Sequence, residues 1–153
     1  MRKRLIRSAD PSAPGDWLPV EELASVDITS EDPAAPIEAA LRGETPGWRA
    51  AEPGPQTIRL LFDRPQTLRR IRLVFVEPEL ARTQEATLRW SGDGGRSFRD
   101  VVRQQWNFSP SGATREVEDY RVDLIGVNVL ALEVVPSIAG GPALASVAEL
   151  RLG

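Results

Sequence analysis

The stretch Leu88 to Phe98 constrains the fold of this chain more than any other. Ala86, Leu88 and Trp90 alternate with Thr87, Arg89 and Ser91, which is the period of a strand with one buried face. Gly92-Asp93-Gly94-Gly95 follows, and these residues tolerate the positive φ angles of a tight reversal. Phe98, Val101 and Val102 open the return strand. Other segments repeat the alternation. Ile58, Leu60 and Phe62 share one face, as do Ile71, Leu73 and Phe75, then Leu130, Leu132 and Val134, and finally Ala148, Leu150 and Leu152. Val74 and Val76 give the Ile71–Phe75 strand a second, partly covered face.

The intervening residues read as turns and loops. Asp63-Arg64-Pro65-Gln66 and Ser109-Pro110-Ser111-Gly112 carry turn chemistry, and Pro136 to Pro142 is a Gly-Pro loop. Glu77 to Glu85 reads as a loop, and so does Gly43 to Pro55, which holds Trp48. Trp17 to Leu23 and Pro36 to Leu41 each suit one helical turn, Pro36 sitting well at a helix start. Ala24 to Thr29 fits a first strand, and Ala113 to Val122 a polar one. About eight short strands with no long amphipathic helix predict an all-β fold, an antiparallel jelly-roll-like β-sandwich. It forms one domain over residues 17–153. Residues 1–16, broken by Pro11, Pro14 and Gly15, form a flexible lead-in, and Arg2-Lys3-Arg4 reads as a solvated end.

Composition removes whole classes of chemistry. The chain has 153 residues, no cysteine and no histidine. Thiol nucleophiles, thiolate metal sites, Ser-His-Asp catalysis and the commonest zinc ligand are therefore excluded. The formal charge of −3 gives no nucleic-acid footprint. No apolar run reaches the roughly 18 residues of a spanning helix. Met1 to Arg7 is basic, but only Leu5 and Ile6 follow as an apolar patch, too little for a secretory signal. The expected compartment is the cytoplasm. Abundant Ala, Gly and Pro, with Lys3 the one lysine, suit a GC-rich bacterial genome.

Three stretches, taken in order, resemble the galactose-binding-like sandwich of the coagulation factor 5/8 type C (discoidin) domains and the family 32 carbohydrate-binding modules. Ala40-Leu41-Arg42-Gly43-Glu44-Thr45-Pro46-Gly47-Trp48 is similar to the family's A-x-D-G-x-x-T-x-W loop. Leu88 to Phe98 is similar to its strand, S-x-D-G turn and aromatic. Leu132 to Pro136 with Ala145 to Leu152 is similar to its closing strands. The likeness spans roughly residues 20–152.

The resemblance implies a non-enzymatic module that binds carbohydrate through loops at one end of the sandwich. In family members an arginine after the strand matching Ile71 to Val76 often contacts sugar. Arg82 fits that role, with Glu77 beside it and Trp106 as a further candidate. Trp106 shares a strand face with Gln104 and Phe108, so a place in the core is the simpler reading for it. Trp48 and Trp90 also read as core, and Asp93 as a turn residue. The late loop Ser137 to Pro142 lacks the family's aromatic, so a sugar there must rely on hydrogen bonds that exchange with water. The alternative is a cytoplasmic protein-interaction or scaffolding domain with no sugar ligand.

The resemblance also implies a structural calcium held by an aspartate of the A-x-D-G loop and a glutamate of the last strand. Here those positions are Arg42 and Glu149, and calcium needs several hard oxygen ligands. The expectation is no metal and no cofactor, with the Arg42 guanidinium replacing the ion and pairing with Glu149. Glu116, Glu118 and Asp119 do not make the opposed carboxylates of a glycosidase. Glu116 and Glu118 lie two apart on one strand and point the same way, a face read as solvated. Arg69, Arg70 and Arg72 read as a solvated basic patch.

Overall fold

The computed structural model describes residues 17–153, so the expected lead-in and its Arg2-Lys3-Arg4 cluster lie outside the described residues. Eight strands and two short helices follow in the order α1 (Val20–Leu23), β1 (Ala24–Ile28), α2 (Ile37–Arg42), β2 (Trp48–Pro53), β3 (Gln56–Val76), β4 (Arg82–Ser91), β5 (Arg99–Phe108), β6 (Arg115–Val135), β7 (Leu144–Val147) and β8 (Glu149–Leu152). Every pairing is antiparallel. No described helix is long and apolar enough to cross a membrane.

Two strands of 21 residues, β3 and β6, organise the sandwich. Their outer halves belong to different layers. Gln56 to Leu61 pairs with β1 and with the second half of β6, which in turn carries β4 and then β5. Leu68 to Val76 pairs with the first half of β6 and with β8. The register slips three times between Leu61 and Arg70, where the strand passes from one layer to the other. Asp63-Arg64-Pro65-Gln66, expected to reverse the chain, bends it instead. Pro65 has no amide proton to lose from the ladder, so it is tolerated at such a break. For the same reason Ala113–Val122 and Leu130–Val134, expected as separate strands, are parts of one.

Three further boundaries differ from expectation. The Gly43–Pro55 loop contains β2, which pairs with β7 and carries Trp48 fully inside the core. Loop Glu77–Glu85 is shorter than expected because β4 begins at Arg82. The closing strand Ala148–Leu152 is preceded by β7 on the far side of Ala148.

The core lies between the layers. Leu60, Leu88, Leu130 and Leu132 come from one layer and Ile71, Leu73, Phe75, Leu150 and Leu152 from the other, all buried in a single cluster. Burying such side chains stabilises by about 1.5–3 kcal/mol each, which is what fixes the period-two register.

Candidate functional site

The chain ends of β3, β5 and β6 and the start of β4 gather at one end of the sandwich. Arg82 opens β4 there, and only 3% of its side chain is exposed. Its Nε donates to Glu77 Oε1 at 2.8 Å, and Nη1 donates to Gln84 Oε1 at 2.7 Å and to the Pro136 carbonyl. Its guanidinium lies 5.1 Å from the Phe108 ring centre. One side chain thus ties together the loop after β3, the strand β4, the end of β5 and the loop after β6. Arg82 and Glu77 are brought together as the sequence suggested, but they are turned into the protein and bonded to one another.

Trp106 takes a third position. It faces inward from β5, packs against Phe75 with ring centres 5.0 Å apart, and donates from Nε1 to Glu118 Oε1 at 2.9 Å. Tyr120 donates to Gln104 across the same gap. These bonds close the edge between the layers, so the Glu116–Glu118–Tyr120 side of β6 is not the solvated face the sequence suggested. Burial, then a hydrogen bond and charge from Glu118, push the Glu116 carboxyl above its ordinary pKa. The opposite side of the strand is also engaged. Asp119 takes a bidentate pair from Arg70, whose guanidinium sits 4.5 Å from the Trp17 ring centre. The Arg69–Arg72 segment is therefore an ion-paired surface, not a free basic patch.

Beside the Arg82 end, on the outer face of the β3–β8 layer, lies a hollow of about 300 Å³, at the lower end of the range for small-molecule sites. The loop between α2 and β2 walls one side. That loop can lie this close only because of its glycines. At Gly47, φ is +82°, and a Cβ would stand 2.4 Å from the Val147 carbonyl oxygen. A Cβ on Gly43 would stand 2.6 Å from Arg151 Nη1 and 2.8 Å from Glu149 Oε1. The floor is apolar, with Val74, Val76, Pro46 and Pro78. Pro78 belongs to the loop that Glu77 and Arg82 pin down. Thr45, Ser146, Arg49 and Arg115 line the rest. Both arginines are exposed, and neither has an ion pair or side-chain hydrogen bond among the described residues.

The expected pair between Arg42 and Glu149 does not form. Arg42 projects from the end of α2 toward α1 and makes a bidentate pair with Glu21 at 2.7 and 2.8 Å. Glu149 is met by Arg72 at 3.1 Å, across the β3–β8 pairing. Arg72 was missed because its contact depends on strand register, which local spacing does not reveal. The family's calcium does not fit these residues. The aspartate position is a guanidinium, and the remaining carboxylate is already paired with Arg72. No cluster of three or more ligating side chains exists among the described residues.

A second hollow opens at the opposite end, beside the β4–β5 hairpin, between Trp90, Asp93, Ser97 and Arg99. Its polar groups are committed. Asp93 accepts from the Ser91 and Ser97 hydroxyls and the Ser97 amide. These bonds hold its carboxyl well below the usual carboxylate range. Asp93 is a turn residue, and Arg99 covers the Trp90 ring at 5.6 Å.

No family model matches the sequence, and no curated protein does. Solved structures match closely in shape. A family 32 carbohydrate-binding module of Clostridium perfringens NanJ, in complex with galactose, superposes with a TM-score of 0.65 at 15% identity, covering 89% of this chain and 96% of that one. A Clostridium perfringens CBM32 module in complex with GalNAc-beta-1,3-galactose gives 0.62 at 20% identity, covering 90% and 99%. A pectin-binding carbohydrate-binding module gives 0.62 at 14% identity, covering 86% and 90%. The chain has the galactose-binding-like β-sandwich fold of these modules.

Proposed function

We propose that this protein is a non-enzymatic glycan-binding module and that the hollow between the α2–β2 loop, Pro78 and Arg115 is where it holds sugar. The observation that carries the reading is the make-up of that hollow. An apolar floor of valine and proline suits the C–H face of a pyranose, while arginines without an ion pair among the described residues, and hydroxyl-bearing residues at the rim, suit ring hydroxyls. The fold supports it, since the similar structures are carbohydrate-binding modules.

Arg82, Glu77 and Trp106 then have supporting roles. Arg82 and Glu77 fix the loop that carries Pro78, and Trp106 closes the sheet edge. A glycan array probed with the purified protein, alongside Arg115→Ala, tests the proposal. Selective binding that the variant loses is the expected result. A blank array from a folded protein refutes it and favours the scaffolding reading.

A further inference from the structure

We infer that the ligand of this hollow is an anionic saccharide, one bearing a carboxylate or a sulfate on its pyranose ring. This inference rests on the glycan reading and adds the charge of the sugar. Arg49 and Arg115 enter the hollow from β2 and from the first residue of β6. Both are exposed and without an ion pair among the described residues. That isolation sets them apart from the arginines nearby. Arg42 is paired with Glu21, Arg70 with Asp119, Arg72 with Glu149 and Arg82 with Glu77.

Among the described residues, the one carboxylate lining the hollow is Glu149, and Arg72 holds it at 3.1 Å. Arg151 Nη1 also lies close by, 2.6 Å from where a Cβ on Gly43 would stand, against 2.8 Å for Glu149 Oε1. Among the described residues the hollow therefore carries two positive charges without an ion-pair partner, in a protein whose formal charge is −3. A guanidinium presents paired donors that match a carboxylate or sulfate. A neutral sugar leaves both charges unanswered. The hydroxyls of Thr45 and Ser146 remain available for the ring.

The test is isothermal titration with tetragalacturonate, its methyl ester, a sulfated galactose tetrasaccharide and the neutral galactose tetrasaccharide. The native protein is compared with Arg49→Ala and Arg115→Ala, each checked for an unchanged melting temperature. The inference expects at least one anionic sugar to bind about tenfold or more tightly than its neutral counterpart. Each variant should lose most of that preference, and added salt should weaken it. The carboxylated and sulfated arms separate the two sources of charge. Equal binding of charged and neutral forms overturns the inference and leaves the glycan reading standing. Binding of neutral sugars alone does the same. If no sugar binds here or on the array, both fall.

Discussion

Replacing Arg82 with alanine should unfold this protein well before it affects any ligand directly. The guanidinium is 3% exposed and bonds Glu77, Gln84 and the Pro136 carbonyl. Removing it leaves the Glu77 carboxylate, with 13% of its side chain exposed, without its counter-charge. Gln84 loses the partner of its oxygen, while its Nε2 already lacks one among the described residues. Breaking a buried ion pair from one side costs about 3–5 kcal/mol. For a domain of this size that corresponds to a drop of about 6–20 °C in melting temperature. Urea unfolding followed by tryptophan fluorescence, with a thermal melt by circular dichroism, measures both. Arg82→Lys should also be destabilised, because a single ammonium cannot span the three acceptors. Arg115→Ala, at an exposed position, should stay within about 0.5 kcal/mol of native. If Arg82→Ala melts within a degree of the native protein, the guanidinium is not a structural tie, and a direct role in ligand contact returns.

Other outcomes follow from the same geometry. Gly47→Ala puts a Cβ 2.4 Å from the Val147 carbonyl oxygen at a φ of +82°. It should destabilise by at least the roughly 1–3 kcal/mol of such backbone strain, read as a lower urea midpoint. Glu116 has a folded pKa raised above its ordinary 4.5, so the folded state binds more protons there. Stability from this group is present at acid pH and lost as pH rises through the folded pKa. Glu116→Gln should therefore raise the neutral-pH melting temperature by an amount of order a degree and flatten that part of the profile. Asp119, held below its ordinary 3.8 by the hydrogen bond and charge of Arg70, works in the other direction. Its contribution is present above the ordinary value and disappears as pH falls through the lowered one, so Asp119→Asn should blunt acid unfolding. Millimolar calcium or a chelator should leave the melting curve unchanged, because Arg72 already neutralises Glu149. A calcium-dependent rise would contradict that assignment.

The parts of this fold legible in the sequence are those set by local chemistry. Alternation in β3, β4 and β6 named the inward residues correctly, and Gly92 to Gly95 marked the reversal between β4 and β5, although the loop runs on to Phe98, because burial and turn geometry act over a few residues. The passage of β3 from one layer to the other was not legible. Asp63-Arg64-Pro65-Gln66 has the composition of a reversal, and only pairing with β6 shows that the chain continues. The candidate site was legible in less measure. Arg82 and Glu77 were found as a pair, but their burial depends on Phe108 and Pro136, which arrive from distant segments. Arg72 reaches Glu149 through strand register, and Arg49 and Arg115 meet at one hollow from separate strands. No spacing rule in a single sequence joins residues brought together that way.

Where a sugar sits on the protein tests the account most directly. Amide chemical-shift mapping by NMR, with the best ligand from the array, reports this without disturbing the fold. The account predicts shifts concentrated at Thr45, Arg49, Val76, Arg115 and Ser146, with the Trp106 indole and the Trp90–Arg99 hairpin unmoved. Shifts clustered on the hairpin, or none with any glycan at saturating concentration, would contradict it.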